Sequence, residues 1–206
     1  MKKSAFKTIL PACVALLAMC VGVAQASGTI NFDDVPGSGI RPIAGDRYID
    51  VSVLFSTTGA GMFVFGPVTY TNTPPNYGYA STYSSGEAAN APVIIDFVLK
   101  GTTTPGLTDI CIFYVTDVPE EETGTWTAVA YGLGGGVLDS KSGTGSNVPV
   151  VFSGPTKQIA RVIFTPSDDF EAIDTLSHCD VVPVPEPASL SVLGLGALGL
   201  IFRRRR

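Results

Sequence analysis

The sequence predicts an all-β protein: an antiparallel, jelly-roll-like sandwich flanked by an N-terminal signal-peptide helix and a C-terminal transmembrane helix. The 206 residues include 23 Gly and 15 Pro, a content that disfavours long helices and favours many turns. Ten segments of strand length in the middle of the chain alternate or run apolar, and turn sequences separate them. Apolar residues make up 45% and charged residues 15%, which excludes a disordered chain.

The charged residues are segregated along the chain. Seven of the 13 basic residues stand at the two ends, as Lys2, Lys3, Lys7 and the four arginines 203–206. The rest of the chain has six basic against 18 acidic residues, a net charge of −12. An acidic middle disfavours nucleic acid as a partner, and basic ends are typical of membrane topology signals.

Residues 1–26 read as a secretory signal peptide, which implies the secretion translocon as a partner. A basic stretch at 1–7 precedes an apolar stretch at 8–23, and Ala24-Gln25-Ala26 gives a cleavage pattern before Ser27. Two alternatives stay open, an uncleaved membrane anchor and lipoprotein processing at Cys20.

Residues 27–183 form the predicted β-sandwich domain. The predicted strands are 29–32, 48–55, 61–65, 93–99, 110–115, 125–131, 137–140, 148–152, 158–165 and 170–176. The run ICIFYV at 110–115 is almost entirely apolar, which indicates a central strand. Asp96 interrupts the apolar run at 93–99, and we expect it at a strand edge or facing outward.

Two stretches are predicted as loops. Residues 66–91 hold four tyrosines among small polar residues, and such aromatic side chains either cap a sandwich or stack on sugar rings. The tyrosines that could contact a ligand in this way are Tyr70, Tyr77, Tyr79 and Tyr83. The acidic run Glu120, Glu121 and Glu122 is most simply a solvated turn.

The four cysteines divide into two pairs. Cys13 and Cys20 leave with the signal peptide, so Cys111 and Cys179 remain in the exported protein. An even pair in an exported protein predicts a disulfide, which would stabilise the fold by roughly 4 kcal/mol by closing a long loop. Trp126 gives an immunoglobulin-like Cys…Trp…Cys order, but too little chain follows Cys179 for that fold.

The last segment, 184–206, has three ordered features. Pro185-Glu186-Pro187 is followed by a 15-residue apolar stretch at 188–202 and then by Arg203, Arg204, Arg205 and Arg206. A 15-residue helix spans about 22 Å, short of a hydrocarbon core of about 30 Å, so this transmembrane segment is a weak anchor. Basic residues stay cytoplasmic, which places the acidic body outside.

These three features resemble the PEP-CTERM sorting signal of Gram-negative bacteria. The resemblance implies recognition by an exosortase, cleavage near Pro-Glu-Pro, and export in bacteria that form exopolysaccharide or biofilm. The protein would be held briefly in the inner membrane and then reach the cell surface or the extracellular matrix. Some ice-binding proteins share this C-terminal region, and an ordinary tail anchor is the alternative.

The body loosely resembles lectin-like or carbohydrate-binding-module-like sandwiches found in PEP-CTERM proteins. The matching segments are 30–34, 159–164 and 170–174. Some folds of this kind hold a structural Ca²⁺, for which the resemblance offers Asp33, Asp34 and Asp174; Thr175 departs from the pattern. No cofactor is otherwise required.

The sequence does not favour an enzyme. The single histidine, His178, neighbours Cys179, and adjacent residues of a strand point to opposite faces. Gly132–Gly136 lacks the Lys-Ser/Thr of a phosphate loop, and we expect a flexible turn there. Three functions remain: an exported envelope or matrix protein that binds polysaccharide, a structural or adhesion component, and a secreted glycoside hydrolase, which needs only two carboxylates.

Overall fold

A computed structural model of the chain describes residues 28–67, 76–86, 90–116, 124–145, 147–167 and 171–185. The predicted signal peptide, the apolar segment 188–202 and the arginine tail lie outside the described residues. The same holds for Tyr70, the run Glu120 to Glu122, Glu186 and Pro187. Within the described ranges, no helix has the length and apolar character to cross a membrane.

The described residues form fourteen β-strands and one short 3-10 helix at Ile49–Val51. The strands are β1 Gly28–Ile30, β2 Gly39–Ile43, β3 Val53–Ser56, β4 Gly61–Gly66, β5 Tyr77–Ser81, β6 Val93–Phe97, β7 Gly106–Leu107, β8 Ile110–Thr116, β9 Thr125–Tyr131, β10 Val137–Thr144, β11 Val148–Ser153, β12 Arg161–Pro166, β13 Ala172–His178 and β14 Val182–Pro183. The predicted all-β class is confirmed.

Two antiparallel sheets form the sandwich. The larger sheet has the order β11-β8-β13-β5-β4-β2, and β1 pairs with the second half of β13. The smaller sheet has the order β10-β9-β12-β6-β3. A separate two-stranded ladder joins β14 to β7. The predicted antiparallel sandwich is thereby confirmed, whereas the jelly-roll connectivity stays a prediction.

The core lies between the two sheets and is rich in phenylalanine. Phe113 of β8 and Phe164 of β12 meet edge to face, with ring centroids 5.8 Å apart, and so join the two sheets. Phe32, Tyr48 and Phe55 form a second aromatic group near the start of the domain. Burial of side chains of this size contributes most of the stabilisation of such a fold.

The structure divides the predicted strand 48–55 into two elements. The 3-10 helix Ile49–Val51 ends at Ser52, whose φ of 66° lies in the left-handed region, and β3 begins at Val53. Ser52 is buried, and its carbonyl oxygen accepts a hydrogen bond from the Val98 amide at 3.0 Å. This hydrogen bond continues the pairing of β3 with β6 within the five-stranded sheet, so the left-handed residue Ser52 marks where the 3-10 helix ends and the strand begins.

The predicted disulfide between Cys111 and Cys179 is not formed in this structure, where both residues are free cysteines. The register of β13 against β8 places His178, not Cys179, opposite Cys111. Cys111 is buried in the core, and burial raises the pKa of its thiol. Since Cys179 follows His178, the alternation of side chains directs it away from the face that Cys111 shares with His178.

Candidate functional site

A row of side chains crosses the outer face of the five-stranded sheet. Tyr131 of β9 stands directly opposite Arg161 of β12, which stands opposite Asp96 of β6. Leu54 of β3 continues the row beside Asp96. Directly opposed residues of antiparallel strands project on the same face, so these four side chains lie side by side.

This row forms the floor of a cleft of about 550 Å³. One wall is the turn between β9 and β10, where Leu133 is half-exposed. The other wall is the loop before β7, which contributes Thr103 and Pro105. The cleft has the size of a small-molecule site and combines apolar surface with a few polar groups.

Asp96 and Arg161 form the one ion pair among the residues that line this cleft. Arg161 Nε donates to Asp96 Oδ1 at 2.6 Å, and Arg161 Nη2 donates to Asp96 Oδ2 at 3.0 Å. The hydrogen bond with Asp96 raises the pKa of Arg161 above its ordinary value. The bidentate pair holds the guanidinium flat and leaves its remaining N–H groups for a ligand.

Sequence reasoning placed Asp96 correctly but missed the rest of the row. Asp96 faces outward from its strand, as predicted, and its side chain is 22% exposed. Tyr131 and Arg161 carry no local signal, because they come together only through the register of β6, β9 and β12. The alternation in TWTAVAY, which buries Trp126, Ala128 and Ala130, is the one hint that Tyr131 faces outward.

The turn at residues 132–136 joins β9 to β10, in agreement with its prediction as a turn rather than a phosphate loop. The Gly132 amide donates to the Gly136 carbonyl at 2.9 Å, and Gly135 has a φ of 76°. A Cβ at Gly134, Gly135 or Gly136 would meet open space, so the tip of this turn faces solvent.

The structure contradicts the predicted ligand role of two tyrosines. Tyr77 and Tyr79 belong to β5 and are 6% and 4% exposed, packed with Phe63 and Ala172 in a second apolar cluster. The Tyr79 hydroxyl donates to the Gly86 carbonyl at 2.6 Å. Tyr77 and Tyr79 are therefore buried packing residues, and their rings are not exposed for stacking on a sugar. Tyr83 is 53% exposed and stays available.

The predicted calcium site is not assembled. Among the residues that the structure describes, no group of three or more His, Cys, Asp or Glu side chains could hold a metal ion. Asp34 pairs with Arg47 at 3.0 Å and accepts from the Tyr48 hydroxyl at 2.7 Å. Asp33 accepts from Asn31 at 2.8 Å, and Asp174 is buried in β13, where it accepts from the Thr175 amide at 2.7 Å. Each carboxylate therefore has a structural partner of its own.

His178 links the end of β13 to the 3-10 helix by a hydrogen bond. Its Nδ1 lies 2.7 Å from the Cys179 carbonyl oxygen, and its Nε2 lies 2.7 Å from the Val51 carbonyl oxygen. The ring also meets Phe97 edge to face, with centroids 5.5 Å apart, and is 4% exposed. Both ring nitrogens are thereby engaged with the backbone.

Comparison with known families identifies the C-terminal segment. Residues 183–206 match the PEP-CTERM protein-sorting motif, which confirms the resemblance stated above for that segment. The motif implies export and anchoring at the C-terminus before processing, and it is the recognition signal of exosortase. A search of curated proteins finds no match.

Two solved structures resemble the body. The first is the CBM22-1 xylan-binding domain of Paenibacillus barcinonensis Xyn10C, with 13% identity, 78% of this chain and 99% of that chain covered, and a TM-score of 0.34. The second is the enzymatically active domain of tailspike protein 4 of bacteriophage CBA120, with 12% identity, 68% and 20% covered, and a TM-score of 0.29.

Proposed function

We propose that this protein is an exported, non-enzymatic component of the cell envelope or exopolysaccharide matrix that binds a neutral polysaccharide in the cleft of its five-stranded sheet. The match of residues 183–206 to the sorting motif supports export and sorting. The row Tyr131, Arg161 and Asp96 is the observation that carries the binding function.

The chemistry of the cleft fits a sugar chain. Tyr131 offers an aromatic face for the apolar side of a sugar ring, and Pro105 and Leu133 extend the apolar surface at the walls. Asp96 accepts and Arg161 donates hydrogen bonds, the two functions that a pair of sugar hydroxyls requires. The row of facing residues crosses four neighbouring strands, a length that suits several linked sugar rings.

The charges favour a neutral ligand over an acidic one. Arg161 is the one cationic side chain among the cleft residues, and Asp96 neutralises it. The central part of the chain carries a net charge of −12, which repels polyanions. A uronate or a sulfated sugar would find no unpaired cation in the cleft.

The binding proposal predicts that Tyr131→Ala removes retention of the protein by neutral polysaccharide. Affinity electrophoresis in gels that contain xylan, β-glucan or mannan measures this retention, and we expect it to fall by a factor of about 5 to 30. Loss of one stacking contact of about 1–2 kcal/mol gives a change of this size. Tyr83→Ala, at the exposed tyrosine outside the cleft, is the matched control, and unchanged retention would assign binding to the cleft rather than to this remaining predicted contact.

Polygalacturonate and alginate gels provide the anionic comparison. Retention by these two anionic polymers alone would refute a neutral ligand, but the protein would still be a polysaccharide-binding protein. Equal retention of wild type and Tyr131→Ala in every gel would exclude the cleft as the site.

The sorting proposal predicts that Glu186→Ala blocks processing. Intact mass of the protein from its native host should show a wild-type body that begins near Ser27 and ends near Pro187. The variant should keep its arginine tail and stay in the cell membrane. A wild-type protein that retains residues 188–206 would instead be a tail-anchored envelope protein.

A further inference from the structure

One end of the sandwich is closed by residues 105–108 and 179–183, which we call the clasp, and residues 184 and 185 follow it directly. Its backbone part is the ladder that places Val182 opposite Leu107 and Pro183 opposite Gly106. Val181, just before the ladder, is fully buried. A Cβ at Gly106 would lie 2.3 Å from Val181 Cγ1, so the close approach requires glycine there.

Two side chains donate hydrogen bonds to the carbonyl groups of Cys179 and Asp180, which precede the ladder. Thr108 Oγ1 donates to the Cys179 carbonyl oxygen at 3.1 Å. Lys157 Nζ donates to the Asp180 carbonyl oxygen at 2.6 Å and also lies 3.4 Å from Asp109 Oδ1. Every residue from 179 to 183 is thereby tied to the body by its backbone or its side chain.

The sorting motif begins where the clasp ends. The family match starts at residue 183, which is also the last residue of the ladder. Four residues, 184–187, separate Pro183 from the apolar segment that starts at Ala188. Five Cα steps span at most about 17 Å even when fully extended. This is less than the diameter of a small domain, about 30 Å.

We propose that the clasp end of the sandwich is a contact surface for exosortase, the sorting enzyme that the motif at residues 183–206 implies. A partner domain about 30 Å across that binds a motif within about 17 Å of Pro183 must also contact the folded body beside it. The ladder and the buried Val181 hold residues 179–183 against the sandwich, so the clasp is the part of the folded body that lies nearest the motif. This inference rests on the sorting function proposed above.

Site-specific photocrosslinking in the native host tests the contact. The full-length chain carries p-benzoylphenylalanine at one position, and the sorting enzyme is made inactive so that the complex persists. Thr156 is exposed and lies beside Lys157 at the clasp end, whereas Thr144 is exposed at the far end of the β9–β10 hairpin. We expect a crosslink to the enzyme from Thr156→p-benzoylphenylalanine and none from the same change at Thr144.

A third probe position, Val184, separates the two proposals. A crosslink from Val184 without one from Thr156 would overturn the contact surface and leave the sorting function intact. No crosslink from Val184 would show that the motif does not meet this enzyme, which refutes the sorting function itself. Equal crosslinks from Thr156 and Thr144 would show that the body has no preferred face.

A change in tether length gives an independent readout. Insertion of Gly-Ser-Gly-Ser between Val184 and Pro185 keeps the clasp and the motif but separates them by up to about 14 Å more. We expect the Thr156 crosslink to disappear and the rate of processing in a pulse-chase to fall at least threefold. The same insertion after Gly145, at the far end of the sandwich, should leave both unchanged. Faster or unchanged processing with the longer tether would contradict the proposed contact.

Discussion

Burial of Tyr79 has a direct consequence for the pH dependence of stability. Its ring stacks on Phe63 with centroids 5.8 Å apart, and its hydroxyl donates to the Gly86 carbonyl. Burial raises the pKa of Tyr79 to about 12, from an ordinary value near 10. The folded protein therefore keeps a proton that the unfolded chain loses as the pH rises above 10.

This difference predicts a loss of stability in alkali. The contribution of Tyr79 is fully present below pH 10 and is lost as the pH rises from 10 towards 12. Tyr79→Phe cannot ionise, so its free energy of unfolding should fall less steeply in that interval, by up to about 1.4 kcal/mol per pH unit. Urea unfolding at pH 8, 10 and 11 measures the slope. Tyr83→Phe, at an exposed tyrosine, serves as the control, and identical slopes for Tyr79→Phe and wild type would contradict the prediction.

At the scale of the element, strands with strong apolar patterns were predictable. The segments that became β6, β8, β9 and β11 match their predicted bounds within two residues. Their inward positions hold large apolar side chains, such as Ile95 and Phe113, and these dictate the alternation. The local apolar pattern and the tertiary packing agree in these strands, so the sequence alone is enough to predict them.

Other elements could not be found in this way. The strand β5, with the sequence YGYAS, looks like a polar loop because Gly78 has no side chain to mark the buried face. That glycine is required, since a Cβ there would lie 2.6 Å from the Phe32 ring. The strands β7 and β14 have two residues each, too few for any periodicity. Long-range contacts decide these elements.

The residues of the candidate cleft could not be predicted from the sequence for the same reason. Tyr131, Arg161 and Asp96 are separated in the chain by 30 and 65 positions, and the pairing of three strands brings them together. The sequence predicted a sugar platform from tyrosines that lie close together in the chain, and two of those four are buried instead. Proximity in sequence is a weak guide to a binding surface in a fold whose contacts are long-range.

At the scale of the whole molecule, β13 holds the larger sheet together. It pairs with β8 on one side and with β5 and β1 on the other. Thr29 of β1 and Ser177 of β13, which are 148 positions apart, share a hydrogen bond of 3.0 Å. Without β13, the pair β8–β11 would separate from β2–β4–β5, and the core would lose Ile173 and Leu176.

The position of β13 predicts the result of truncation. A chain that ends at residue 171 should show no cooperative thermal transition, because two halves of a sheet and an open core remain. A chain that ends at residue 185 keeps β13, the clasp and all described contacts, and it should unfold in a single transition. Circular dichroism and calorimetry measure both. A cooperative transition in the shorter chain would mean that the smaller sheet carries the fold by itself.

The central position of β13 also affects the order of folding during export. When a polypeptide crosses a membrane with its N-terminus first, β1 emerges at the start and β13 almost at the end. Strands β1, β5 and β8 therefore lack their common partner during most of the translocation. The sandwich closes only when His178 and the clasp have emerged, a moment at which only about two dozen residues of the chain remain behind. In an exported chain, completion of the fold and exposure of the sorting motif would therefore fall at nearly the same time.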